Sequence, residues 1–197
     1  MSMKKVKLFT PVIALLLSLS PAALAERYNV DPAHSTLSFS VSHFGLTEID
    51  GRFNEFTGVI DWDAKAPNVT TVEFTSQAKS IDTAVAKRDE HLRTADFFDV
   101  ERYPTLSFKS TKVTHLGEDR YQVDGDLTIH GVTKPITTTA RIKGPKDVSG
   151  NQKIGFRTTF KINRLDYGVG EGKFSSDDMI GHEIFIEVKG EAARAEE

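Results

Sequence analysis

The chain has 197 residues, with 25 Lys and Arg against 28 Asp and Glu, a net charge of −3, and no cysteine. The missing cysteine excludes disulfides and thiol chemistry. The mixed, slightly acidic charge without a Lys/Arg cluster argues against nucleic acid as a partner.

Lys4, Lys5 and Lys7 precede an apolar run from Leu8 to Leu19, interrupted by Thr10, Pro11 and Ser18 and followed by Pro21 and Ala23-Leu24-Ala25. This order of basic, apolar and small residues predicts a secretory signal peptide cleaved after Ala25. The run is shorter than the roughly 20 apolar residues that span a bilayer. The next residue is Glu26 rather than the Cys a bacterial lipoprotein requires, so the expected product is soluble, with no stable membrane anchor. Removing 25 residues from 197 leaves residues 26–197, a length of 172 that suits one domain, and loss of three lysines moves the charge from −3 to −6.

Alternation dominates the chain beyond Glu26. Over Thr36–His43, Leu37, Phe39, Val41 and His43 oppose Thr36, Ser38, Ser40 and Ser42, the period of a half-buried strand. Between Gly51 and Trp62, Phe53 and Phe56 are out of phase while Ile60 and Trp62 share a face, which a bulge near Glu55 would explain. Alternation returns in Val72-Phe74-Ser76-Ala78-Ser80, Leu106-Phe108, Tyr121-Val123-Gly125-Leu127-Ile129, Ile136-Thr138-Ala140-Ile142, Ile154-Phe156-Thr158-Phe160-Ile162 and Ile180-His182-Ile184-Ile186-Val188. Turn residues separate these runs, as in Gly131–Pro135 and Lys143-Gly144-Pro145, and the short connections favour antiparallel order. Thr83–Asp96 lacks Gly, Pro and alternation. It predicts one short helix, with Asp82 or Thr83 as its cap and Val85, Leu92 and Ala95 near one stripe. A loop then runs through Phe97-Phe98 to Tyr103-Pro104.

About eight strands with one polar face each predict an all-β fold, a closed barrel or a sandwich. The inward positions mix large residues (Phe39, Trp62, Phe74, Phe108, Phe156, Phe160) with small ones (Ser76, Ala78, Ser80, Ser110, Gly125, Ala140, Thr158). Barrels of this size either fill their interior or hold one small ligand, and periodicity leaves both open.

No catalytic signature emerges. There is no G-x-S-x-G elbow and no phosphate-binding loop, and Gly168-Val169-Gly170-Glu171-Gly172 lacks the following helix that a dinucleotide fingerprint requires. The six histidines, His34, His43, His91, His115, His130 and His182, show no H-x-H or H-E-x-x-H spacing. Arg88-Asp89-Glu90-His91-Leu92-Arg93 is dense in charge. It reads either as an acid/base cluster or, more simply, as an Arg–Asp pair pinning the helix across a barrel end with the remaining charges solvated. Arg164-Leu165-Asp166-Tyr167-Gly168 reads as a structural corner.

These blocks carry a family likeness. His34-Ser35 with Phe39 and His43, Gly51-Arg52-Phe53, Ser80-Ile81-Asp82-Thr83, Arg88–Leu92 followed by Asp96–Val100, Tyr103-Pro104, Gly125–Thr133 and Arg164–Gly168 occur in an order that resembles the YceI-like family of periplasmic, lipocalin-like polyisoprenoid-binding proteins. The resemblance implies an extended antiparallel lipocalin-like β-barrel, a helix near one end, an elongated apolar pocket and a long-chain isoprenoid or related lipid as partner. It implies no cofactor and supplies no residue-level site.

The expected function is that of a periplasmic binding or carrier protein. From the alternation, Phe39, Val41, Trp62, Phe74, Phe108, Val123, Leu127, Phe156, Phe160 and Ile184 would line the pocket, with Phe97 and Phe98 at its mouth. Two rivals stand beside it. One is a metal-dependent or stress-related periplasmic enzyme using His34, His43, His91 or His130. The other is a structural or interaction module with a filled barrel. A homodimer is compatible with the sequence, and no feature demands one.

Overall fold

A computed structural model describes residues 25–63, 65–66 and 70–196, so the expected leader lies, but for Ala25, outside the described residues. The strands are β1 (Glu26–Val30), β2 (Thr36–His43), β3 (Thr47–Phe53), β4 (Phe56–Trp62), β5 (Thr71–Gln77) and β6 (Ile81–Asp82). After helix α1 (Ala86–Arg93) come β7 (Thr105–His115), β8 (Arg120–Ile129), β9 (Val132–Val148), β10 (Asn151–Asn163) and β11 (Ile180–Arg194).

These segments make eight antiparallel staves. β1 and β2 are one stave broken by the short turn Pro32–His34, where Asp31 accepts a hydrogen bond from the Ala33 N–H at 3.0 Å. β3 and β4 are a second, broken at Asn54-Glu55, and β5 and β6 a third, broken by the turn Ala78–Ser80. Pairing runs from β4 through β5, β7, β8, β9 and β10 to β11. The ring closes because β11 pairs with β2 near its start (Ile186 opposite Phe39) and with β1 near its end (Asn29 opposite Ala193). A closed ring of staves leaves little strand edge to template association. No described helix is long and apolar enough to cross a membrane.

The slip between Phe53 and Phe56 is thus a true interruption that lets both rings face inward, and both are buried. Two expectations need correction. Ala78 and Ser80 belong to a turn rather than to a continuing strand. The helix is shorter than Thr83–Asp96 and is preceded by Val85, whose side chain offers no cap. Asp82 instead accepts from the Ala84 N–H, fixing the turn before the helix. Val85 is exposed and Ala95 lies past the last turn, so of the expected stripe Leu92 alone packs inward. β1 is not legible in the sequence as a strand, since Tyr28 and Val30 are its only apolar residues.

Two burial patterns coexist around the ring. On β8, Tyr121, Val123, Leu127 and Ile129 are buried in strict alternation. On β2 all eight residues are half-exposed. The outer side chains of β2 meet water, and the inner ones face open space inside the barrel. At the end away from α1 the interior is filled by Tyr28, Trp62, Val113, Tyr121, Ile154 and Ala192. There the Trp62 indole N–H donates to the Tyr121 hydroxyl at 3.2 Å, which spares a buried donor from going unpaired.

Tyr28 carries a titration consequence. Burial first, and then donation of its hydroxyl to Glu26 at 2.9 Å, push the phenol up to about 12 from the usual 10. The unfolded chain releases this proton near pH 10 while the folded chain keeps it, so folding stability falls as pH rises from 10 to 12. In urea titrations across that window, Tyr28→Phe is expected to show a shallower loss than the wild type.

Candidate functional site: an apolar lumen

Above the aromatic floor lies a cavity of about 440 Å³. That volume is within the range of small-molecule sites. Its walls follow β10 from Phe156 to Ile162, a strand path of ~20 Å at about 3.3 Å per residue. The remaining wall comes from β2 (Leu37, Phe39, Val41), β3 and β4 (Ile49, Phe53, Phe56, Ile60), β5 (Val72, Phe74), β7 to β9 (Phe108, Val123, Leu127, Ile136, Ile142) and β11 (Ile184, Ile186, Val188). The filled-barrel reading therefore holds for the floor and not for the space above it.

Three large rings are seated in slots of the lumen wall. Phe39 sits opposite Gly51 and Phe74 opposite Gly58, while Phe108 lies diagonal to Gly125. A Cβ at Gly51 would overlap the Phe39 ring, one at Gly58 would lie 2.8 Å from Phe74, and one at Gly125 would overlap Phe108. The missing side chain on one strand is the slot for the ring on the next. Lower down, Phe74 and Phe156 stand on opposite sides of the ring of staves and meet edge to face, centroids 5.7 Å apart. They form a waist, below which Ile60, Val72 and Ile142 line the deepest part.

The helix end is built by α1, by the 94–104 segment and by the loop 164–179. Phe97 is buried and packs with His91 and Phe174, centroids 5.1 and 4.9 Å away, while Phe98 meets Phe53 at 5.7 Å. Asp96 accepts from the His91 ring at 2.9 Å and pairs with Lys173 at 3.3 Å. His91 first, and Lys173 second, hold its carboxyl below the usual carboxylate range. The β2–β3 turn at this end leaves Phe44 and Leu46 exposed.

The charged helix block is organised around one threonine. The Asp89 carboxylate is buried and accepts from the Thr83 N–H at 2.9 Å and from the Thr83 hydroxyl. Arg88 donates through Nε to Thr83 Oγ1 and through Nη2 to the Thr83 carbonyl, both at 2.7 Å. The expected Arg–Asp pair is thus indirect, two side chains gripping Thr83 from either side. Arg93 ties the helix down by donating to the carbonyls of Lys79 and Ile81 at 2.7 and 2.8 Å.

The expected corner at Arg164 holds the end loop together. Its side chain is buried, and its N–H groups donate to the carbonyls of Gly181, Val169, Gly170, Phe174 and Ile180 at 2.6–3.1 Å. Burial lowers its pKa, yet a guanidinium remains charged in a protein. Gly170 explains the glycine-rich run. It has φ +69°, and a Cβ there would lie 2.7 Å from Arg164 Nη1 and 2.9 Å from Phe97.

Of the residues expected at the pocket, Phe39, Val41, Phe74, Phe108, Val123, Leu127, Phe156, Phe160, Ile184, Phe97 and Phe98 all lie around the cavity. Trp62 lies beneath it, in the floor. Alternation alone missed Ile49 on β3, Phe44 in the β2–β3 turn and Met179 in the end loop. The histidines are dispersed, and among the described residues no group of three or more His, Cys, Asp or Glu side chains converges as a metal site would require.

The fold and lumen define a closed antiparallel barrel with an apolar tube and a single helix near one end. The chain belongs to the YceI-like family: the model of the YceI-like domain matches residues 28–192. A UPF0312 protein of Vibrio parahaemolyticus is 38% identical over 188 residues, covering 94% of this chain and 98% of its own. One from Pseudomonas putida (strain W619) is 37% identical over 168 residues, covering 84% and 87%. Among solved structures, Burkholderia cenocepacia BcnA superposes with a TM-score of 0.76 at 22% identity, covering 82% of this chain and 98% of that one. A Campylobacter jejuni YceI protein gives 0.72 at 29%, covering 79% and 90%. A polyisoprenoid-binding domain from Saccharophagus degradans, implicated in plant cell wall breakdown, gives 0.68 at 17%, covering 87% and 99%.

Two variants test how the site is held. Gly51→Ala is expected to turn the Phe39 ring into the lumen at a cost of ~1–3 kcal/mol. A crystal structure of the variant and its urea unfolding curve read both effects. Arg164→Gln strands several buried carbonyls, so a loss of at least ~2 kcal/mol is expected. New proteolytic cleavage within residues 168–179 would accompany it.

Proposed function

We propose that this protein is a non-enzymatic binding or carrier protein for a long-chain amphiphilic lipid, such as a polyisoprenoid or an isoprenoid quinone. The tail would lie in the lumen against Phe39, Val41, Phe74, Phe108, Val123, Leu127, Phe156, Phe160 and Ile184, with Phe97 and Phe98 beside the entrance. The observation that carries this reading is an apolar tube, closed by aromatics at one end, inside a closed ring of eight antiparallel staves.

The energetics favour it. Each methylene moved from water into such a tube contributes about 0.8 kcal/mol, so about ten contribute roughly 8 kcal/mol before ordering costs. That is the scale of micromolar retention without any polar clamp. A binding role also accounts for a site with no metal-ligand cluster among the described residues. The fold shared with the Saccharophagus degradans domain, which is described as polyisoprenoid-binding, supports the ligand class.

The leader expected over residues 1–25 supports a periplasmic location, where a soluble barrel would shield an apolar chain from water. Organic extraction of natively purified protein, followed by mass spectrometry, tests the reading. A co-purified long-chain lipid near one equivalent is expected, as is uptake of added isoprenoid quinone by delipidated protein. Recovery of no lipid together with no uptake would overturn it.

A further inference from the structure

Three arginines line the lumen: Arg88, Arg157 and Arg164. A cation beside an apolar cavity calls for an acceptor, because a guanidinium loses more than a neutral donor when its N–H groups face no partner. Two of the three are accounted for by the protein itself. Arg157 reaches outward and pairs with Glu187 at 2.6 Å. Arg164 commits every one of its N–H groups to backbone carbonyls.

Arg88 is different. Two of its N–H groups hold Thr83, one from Nε and one from Nη2. Both N–H groups of Nη1 and the second of Nη2 have no acceptor among the described residues. It makes no ion pair there either, since the adjacent carboxylate, Asp89, is turned onto Thr83. The two bonds to Thr83 fix the guanidinium in place, so its remaining donors form a held fork rather than a mobile side chain. This half-buried fork stands at the helix end of a lumen walled mainly by aliphatic and aromatic groups, with Thr83 and His91 beside it.

We propose that Arg88 is the head-group anchor of the lumen and selects amphiphiles whose head carries an anionic oxygen, a carboxylate or a phosphate. The inference rests on the lipid-binding reading above and adds polarity to it. The tail runs toward the aromatic floor, and the head stays at the helix end, where the open N–H groups of Arg88 donate to it. A planar fork of this kind suits two-oxygen acceptors, and charge-assisted bonds outside bulk water are the stronger class.

The test uses three probes with one C20 isoprenoid tail: geranylgeraniol, geranylgeranoic acid and geranylgeranyl monophosphate. Their affinities are measured at pH 7 by displacement of a fluorescent apolar reporter. Wild-type protein is expected to bind at least one anionic probe about tenfold or more tightly than the alcohol, and the stronger anion identifies the head. Arg88→Gln should remove that preference while changing alcohol binding by less than about threefold, and Arg88→Lys should keep part of it. Thermal unfolding of each variant reports whether the barrel is intact, and the wild-type comparison needs no variant at all. Equal wild-type affinity for all three probes would overturn the anchor and leave the tail reading standing. An equal loss for alcohol and anions in Arg88→Gln would make Arg88 a structural brace. Failure of all three probes to bind the wild type would instead remove the lipid-binding reading itself.

Discussion

Closure of the hydrogen-bond ladder at β11 is the constraint on which the rest depends. This one strand pairs with β10 along one edge and, along the other, with β2 and then β1. The first stave can serve both partners only because it breaks at Asp31–Ser35, where the Ser35 hydroxyl bridges to the backbone of Glu191. With the ring closed, every strand but the two-residue β6 has two neighbours for at least part of its length. The wall then does not need a packed interior to satisfy its backbone, and the fold can tolerate a hollow.

Residue size and placement divide the interior. The floor concentrates rings that carry polar atoms, Tyr28, Trp62 and Tyr121, and pairs those atoms locally. The lumen concentrates phenylalanines and aliphatics, which have nothing to pair. A buried water is held by two to four polar partners, and such walls offer almost none, so the tube favours an apolar guest over solvent. At the helix end the pattern reverses. His91, Asp96 and Lys173 are linked to one another, Arg88 and Asp89 grip Thr83, and Arg164 anchors the loop. One end is packed with rings, and the other is polar and built from a helix and a loop.

Much of this architecture can be read from alternation. The phases of β2, β5, β7, β8, β9, β10 and β11 are legible because each presents water on one side and apolar space on the other. What periodicity cannot distinguish is an apolar neighbour from an empty volume, since a strand facing a hollow and a strand facing a core have the same pattern. That distinction lies in the pairing of Phe39 with Gly51 and Phe74 with Gly58, which depends on register between strands. Trp62 shows the same limit: it has the correct phase, but its position along the barrel axis puts it in the floor. The density of charge at Arg88–Arg93 is visible in the sequence, while its organisation around Thr83 needs the fold.

The aromatic floor makes the tube a blind alley. A guest cannot thread through the barrel and leave by the far side; it must back out the way it came. Depth then acts as a ruler. A chain shorter than the tube leaves its tip hanging above unfilled space, and a longer one projects its surplus past the collar of Phe97 and Phe174. Any size limit in such a molecule is set at the bottom, where Ile60, Val72 and Ile142 rest on the floor of Tyr28, Trp62 and Tyr121.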